Sequence, residues 1–247
     1  MNVPWETLAW AAPVVLFAYT VFGLAGFGSA VIATPMLAQG IPLHTAVPMM
    51  LLLDFCASLV MGGRNRQHIA RGELLRLLPF MLIGIVLGVT TLVHAPERWL
   101  LLLLGVFVFG YAARKLLVRA PAEPRQISTL WALPIGTAGG IFTALFGVGG
   151  PIYTLYVAGR VRDPLVLRAT MAAVVMLGGF VRIPMFWFAG LYSNGQALQL
   201  AAWLMPCALG GIWLGSHVHS RVPTGRVIQL VWGLLVCSGA GLVWRNF

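Results

Sequence analysis

The sequence predicts an all-α polytopic membrane protein, and three observations carry that reading. Of the 247 residues, 60% are hydrophobic and 9% are charged, against about 25% charged in a soluble domain. The apolar residues gather into about eight segments, most of them near the roughly 20 residues that a helix needs to cross a bilayer. Two of those segments, the first and the fifth, are interrupted by glycine-rich stretches that a plain spanning helix does not need.

The first segment covers about Leu8 to Leu37 and contains Gly23-Leu24-Ala25-Gly26-Phe27-Gly28-Ser29, followed by Thr34-Pro35. As one helix it would measure roughly 45 Å, too long for an untilted crossing, so a bend or hairpin is expected at the glycines. Met1 to Thr7 holds Glu6 but no Lys or Arg, so it lacks the basic start of a cleaved signal. The second segment runs from about Thr45 to Met61, and a basic loop with Arg64, Arg66, His68 and Arg71 follows. The third (about Leu74 to Val93) and fourth (about Trp99 to Leu117) are joined by the nearly neutral His94-Ala95-Pro96-Glu97-Arg98. Residues 118–129 form the linker-like segment, with Arg119, Pro121, Glu123, Pro124 and Arg125. It divides the chain into a first repeat, 1–117, and a second, 130–247.

The fifth segment, about Leu130 to Ala158, is interrupted at Gly147-Val148-Gly149-Gly150-Pro151. The sixth, about Leu165 to Phe188, carries Arg182 and Pro184. The seventh (about Ala197 to Gly215) and eighth (about Val227 to Trp244) close the second set of four. The halves echo each other at an offset of about 121 residues, Gly26-Phe27-Gly28-Ser29 over Gly147-Val148-Gly149-Gly150, and internal repeats of this kind recur in secondary transporters. Basic loops tend to face the cytoplasm. Eight single crossings would put the Arg160–Arg168 and His217–Arg226 loops outside. If the first and fifth segments are hairpins that leave on the side they entered, every basic loop falls inside, Tyr192–Gln196 falls outside, and the halves form an inverted repeat. The hairpin arrangement is the preferred expectation, with eight crossings as its alternative.

Irregular backbone at membrane depth survives only where it is buried in protein or lines a cavity. A helix that restarts after Gly28-Ser29, or after Gly149-Gly150-Pro151, presents unpaired N–H groups and a positive dipole end, which suits an anion. Pro151 fits a first helical turn, and Ser29 is a candidate cap. The alternative is close helix packing through small residues. The hydroxyls of Thr34, Thr143 and Thr154 either face such a site or bond to their own helices. Asp54, near the middle of the second segment, and Arg182 are charges in apolar runs, which are functional candidates by default. Asp54 is a candidate carrier of a coupled proton or another coupling ion, and Arg182 either neutralises an anion, pairs with Asp54, or snorkels to the interface. His44 and Arg168-Ala169-Thr170 occupy corresponding places in the two halves and are candidates to support the site from behind.

Other function classes lack a signal. Cys56, Cys207 and Cys237 are scattered without CxxC spacing, so neither a disulfide framework nor a zinc site is indicated. His217 and His219 do not face one metal together at i, i+2 on a helix. The +10 charge is spread over short loops, which is an orientation signal and not a nucleic-acid surface. No HExxH, GxSxG or Walker loop occurs, so an enzyme is not expected, and neither is a cofactor. Most of the nine tryptophans lie at segment ends, as interface anchors do.

Gly23-x-x-Gly26-Phe27-Gly28-Ser29 with Pro35, and Gly136-x-x-x-Gly140 leading to Phe146-Gly147-Val148-Gly149-Gly150-Pro151, resemble the duplicated signature of the sulfite exporter TauE/SafE family. Length, segment number and the central linker resemble it too, so the likeness covers essentially the whole chain. It implies a multi-pass permease of the bacterial inner membrane for small anions such as sulfite, sulfoacetate and related organosulfonates. The expectation is a secondary transporter, an exporter, with a substrate anion held between Gly26, Phe27, Gly28, Ser29 and Thr34 on one side and Gly147, Val148, Gly149, Gly150 and Pro151 on the other. Arg182 would add positive potential. A passive anion channel and a non-transporting assembly or receptor protein remain alternatives, and the oligomeric state is open, a homodimer included.

Overall fold

The computed structural model describes residues 5–25, 28–62, 66–117, 127–218 and 224–246, and these are helix and connecting turn without strand. In chain order the helices are α1 (Trp5–Ala25), α2 (Ser29–Leu37), α3 (Leu43–Gly62), α4 (Arg71–His94), α5 (Glu97–Leu117), α6 (Ala132–Phe146), α7 (Gly150–Arg160), α8 (Pro164–Phe188), α9 (Gln196–Val218) and α10 (Thr224–Asn246). Among the described residues six helices are long and apolar enough to cross a membrane: α1, α3, α4, α6 with the short turn before it, α8 and α9. The first and the fifth of the expected segments each divide in two, at 26–28 and at 147–149.

Glycine is what divides them. α6 ends at Gly147, whose φ of 74° is left-handed, a conformation that disfavours a side chain. The N–H of Gly147 reaches the carbonyl of Thr143 (2.9 Å) and that of Val148 reaches Phe142 (3.3 Å), so carbonyls left over at the helix end are satisfied. Gly28, with φ 102°, precedes α2. Pro151 sits in the first turn of α7, where its missing N–H removes nothing.

Each divided pair is a hairpin. A side chain on Gly40 would lie 2.8 Å from the Trp10 ring, so the far end of α2 returns beside the start of α1. The Ile127 N–H donates to the Gly159 carbonyl (3.2 Å), which returns the end of α7 to the start of α6. The hairpins open toward opposite ends of α4. The α7 end meets Glu73 in the first turn of α4. Past the other end of α4, Glu97 accepts the Leu43 N–H (2.6 Å), just beyond α2. With nine and eleven residues, α2 and α7 span only about 13 and 16 Å, so their tips stop inside the molecule.

The longer helices clamp these tips in matched pairs. α1 runs along α9 as α6 runs along α4, α3 packs on α8, and α5 packs on α10. Small residues set these distances, as is common between membrane helices. A side chain on Gly23 would strike the Ile212 carbonyl at 2.7 Å, and one on Gly84 would strike the Thr137 carbonyl. Seven residues from Ser29 to Pro35, and Leu37, are buried, so α2 lies in the core and not against lipid.

Candidate functional site

A cavity of about 30 Å³ lies between the two hairpin tips, room for roughly two waters. The first turn of α2 lines it with Gly28, Ser29, Ala30 and Val31, and the facing hairpin does so with Thr143, Gly147, Gly150 and Tyr153. Phe22 of α1, Asp54 of α3, and Val174, Val175 and Arg182 of α8 complete the wall. Both short helices therefore begin at the cavity, with the positive ends of their dipoles toward it.

Asp54 is 5% exposed, and its Oδ1 accepts two hydroxyls, from Tyr19 (2.6 Å) and from Ser29 (2.6 Å). Those lengths are typical of a hydroxyl donating to a carboxylate. Oδ2 lies toward Gly147, 4.0 Å from where a side chain there would begin. Arg182, 2% exposed, donates Nη1–H to the Thr143 carbonyl (2.7 Å) and Nε–H to the Gly178 carbonyl (3.3 Å). Two of its five N–H groups are thereby used. Among the described residues it forms no ion pair within 4.0 Å. The acid and the guanidinium face one cavity without touching, so direct pairing of Asp54 with Arg182 does not occur. Two buried charges kept apart are expensive.

The sequence-derived candidates divide between the cavity and its surroundings. Gly28, Ser29, Gly147, Gly150, Asp54 and Arg182 line it; Gly26 and Phe27 lie outside the described residues. Ser29 does not cap its helix: Gly28 is the cap residue, and the Ser29 hydroxyl goes to Asp54 instead. Thr34 is also turned away from the cavity. Its hydroxyl crosses to the Phe146 carbonyl (2.9 Å) and ties one hairpin to the other. Val148 and Pro151 are buried beside the tip. Gly149 has a packing role, since a side chain there would overlap the Thr143 hydroxyl and the Tyr153 ring. Thr154 bonds within its own helix, to Gly150 (2.8 Å).

His44, Arg168 and Thr170 do not line the cavity. Thr170 accepts the Ala70 N–H (3.0 Å) and so fastens the early part of α8 to the turn before α4. Three features went unread in the sequence. Tyr19 and Tyr153 are phenols in apolar helices, where a tyrosine resembles an ordinary apolar or interface residue; only their depth in the run hinted at a polar task. The third is a clasp. Glu73 accepts Tyr156 (2.6 Å) at Oε2, and Arg160 Nη2 (3.0 Å) and Arg76 Nη1 (2.8 Å) at Oε1. In the α8–α9 turn, Tyr192 donates to the Pro48 carbonyl (3.3 Å), and burial pushes its phenol up to about 12.

Among known proteins, the family model described as sulfite exporter TauE/SafE matches residues 11–242, which include both glycine breaks. The chain is 25% identical over 201 residues to the probable inner membrane transporter protein TsaS of Comamonas testosteroni, covering 80% of this chain and 83% of that protein. No solved structure matches the chain.

Proposed function

The chain belongs to the sulfite exporter TauE/SafE family, and we propose that it is a multi-pass inner-membrane carrier that exports a small oxyanion, sulfite or an organosulfonate, by alternating access. One observation carries the site. The buried Arg182 guanidinium, held at Thr143 and Gly178 with donors to spare, and the first turns of two short helices converge on one cavity. Fixed N–H groups and a positive charge at a buried cavity suit an oxyanion. Room for roughly two waters is tight for an anion of three or four oxygens, and in this reading the hairpin tips separate as it loads.

The transport cycle rests on two repeats, 1–117 and 130–247, joined by 118–129 and inverted with respect to each other. The Arg160–Glu73 contact supports this arrangement, because eight single crossings would hold the loops bearing those residues on opposite faces. The matched packing of α1 on α9 and α6 on α4 supports it as well. In this reading the hairpins enter from opposite faces, and rocking one repeat against the other exposes the tips alternately.

The test is thermal stabilisation of the purified protein by sulfite, methanesulfonate, sulfate and acetate. An anion at 100 times its dissociation constant adds about 2.7 kcal/mol, roughly 5–10 °C for a chain of this size. Sulfite or methanesulfonate should stabilise, and Arg182→Gln should remove the effect. Equal stabilisation of the Arg182→Gln protein, or none of the wild type by any of the four, would remove the site from consideration. Gly149→Leu should insert into the membrane yet fail in counterflow of labelled sulfite.

A further inference from the structure

We infer that each anion binds together with one proton on Asp54, making the protein a symporter of a singly charged anion and a proton. This rests on the anion site proposed above. Charge must balance around this buried cavity. Asp54 and Arg182 face the same small cavity, and neither has an ion-pair partner elsewhere among the described residues. Empty, the cavity holds one positive and one negative group and is neutral. A monoanion added beside an ionised Asp54 leaves one uncompensated negative charge in a dry interior, and a proton added without the anion leaves one positive charge. Uncompensated charges resist enclosure. The two states that close at low cost are therefore the empty one and the one loaded with both the anion and a proton. A dianion such as sulfate would need a second acid, and none lines the cavity among the described residues.

The hydrogen bonds leave an atom for the proton. Tyr19 and Ser29 both donate to Oδ1, so Oδ2, on the Gly147 side, is the oxygen for the proton. Tyr19 and Ser29 are thus positioning residues: they orient the carboxyl and set the pH at which it loads. The other titratable group on the wall is Tyr153 of α7, bonded to Thr143 (3.3 Å). Cys56 on α3 stands by Tyr19, Tyr192 in the α8–α9 turn stands by Arg182, and Cys207 is on α9, which packs against α3. In one cycle the proton and the anion enter from one side and leave on the other, and no net charge moves. The direction of net flux is then set by the sum of the anion and proton gradients and not by membrane potential, so export proceeds where the outward anion gradient exceeds any inward proton gradient.

Methanesulfonate is the probe, because it is a monoanion at every working pH and brings no proton of its own. Its affinity, read as thermal stabilisation, should rise as pH falls, by up to about tenfold per unit for one coupled proton, and then level off. Asp54→Asn keeps an Oδ1 acceptor for Tyr19 and Ser29 but cannot ionise, so its affinity should not change with pH. Tyr19→Phe removes a donor that favours the carboxylate. Its pH profile should move upward by about one unit, a readout that stands if Asp54→Asn fails to fold. In proteoliposomes, a methanesulfonate gradient should move one proton per anion, at a rate unaffected by a potassium–valinomycin clamp. Equal affinity at all pH in the wild type, or proton movement that persists in Asp54→Asn, would overturn the coupling and leave the anion site standing. Failure of both methanesulfonate and sulfite to bind the wild type would overturn the anion site and the coupling with it.

Discussion

Thr34 shows how one side chain can be legible in kind and not in role. A threonine hydroxyl in a helix usually bonds its own backbone, yet that of Thr34 reaches the Phe146 carbonyl 112 positions away. It supplies one of the acceptor-satisfying bonds at the end of α6. Thr34→Val keeps the shape and removes the donor, which should destabilise the protein by about 1 kcal/mol and lower the melting temperature by roughly 2–4 °C. Arg182 invites a second substitution. Arg182→Lys retains the charge but not the fork that reaches Thr143 and Gly178 together, so methanesulfonate affinity should fall about tenfold while some binding survives. Asp54 and Arg182 were legible because a charge inside an apolar run is costly wherever it sits. Tyr19 was not, because a phenol costs little there and becomes informative only when its partner is known.

At the level of elements, the two glycine breaks differ in a way that sequence identity does not reveal. Gly28 and Gly147 both have positive φ, but a side chain on Gly28 meets nothing within 4 Å, while one on Gly147 lies 3.0 Å from the Ala30 Cβ. Gly28→Ala should carry only the conformational cost, about 1–2 kcal/mol. Gly147→Ala should lower the melting temperature further and should also disturb anion binding, since it wedges the hairpin tips apart at the cavity. Equal losses from the two substitutions would count against a tight tip-to-tip contact. That both segments break was readable from spacing and length. Which helices cover α2 was not, because an evenly apolar helix has no face that says which neighbour covers it.

For the molecule as a whole, the expected inverted arrangement makes a labelling prediction. His68→Cys and Arg162→Cys should react with an impermeant maleimide from the same side of the membrane, and Asn194→Cys from the other. Labelling of His68→Cys and Arg162→Cys from opposite sides would favour eight single crossings. The basic loops carry this expectation in the sequence alone, as a statistical bias. The clasp of Glu73 with Tyr156 and Arg160 supports it in space, by joining the start of α4 to α7 across 83 and 87 positions of chain.

From composition and spacing alone came the membrane class, the segment pattern, the two breaks, and two charges too deep to be incidental. These follow from local chemistry: apolar length, glycine conformations and the cost of burying charge are properties of a residue and its near neighbours. Only the tertiary structure decided that Asp54 and Arg182 share one cavity without pairing, that Ser29 holds an acid and not a helix end, and that Thr34 joins the hairpins. Each of these depends on where segments from different parts of the chain cross. Crossing points are set by the close approach of helices at small residues such as Gly23 and Gly84, and glycines of that kind look alike in a sequence until the helix they meet is known.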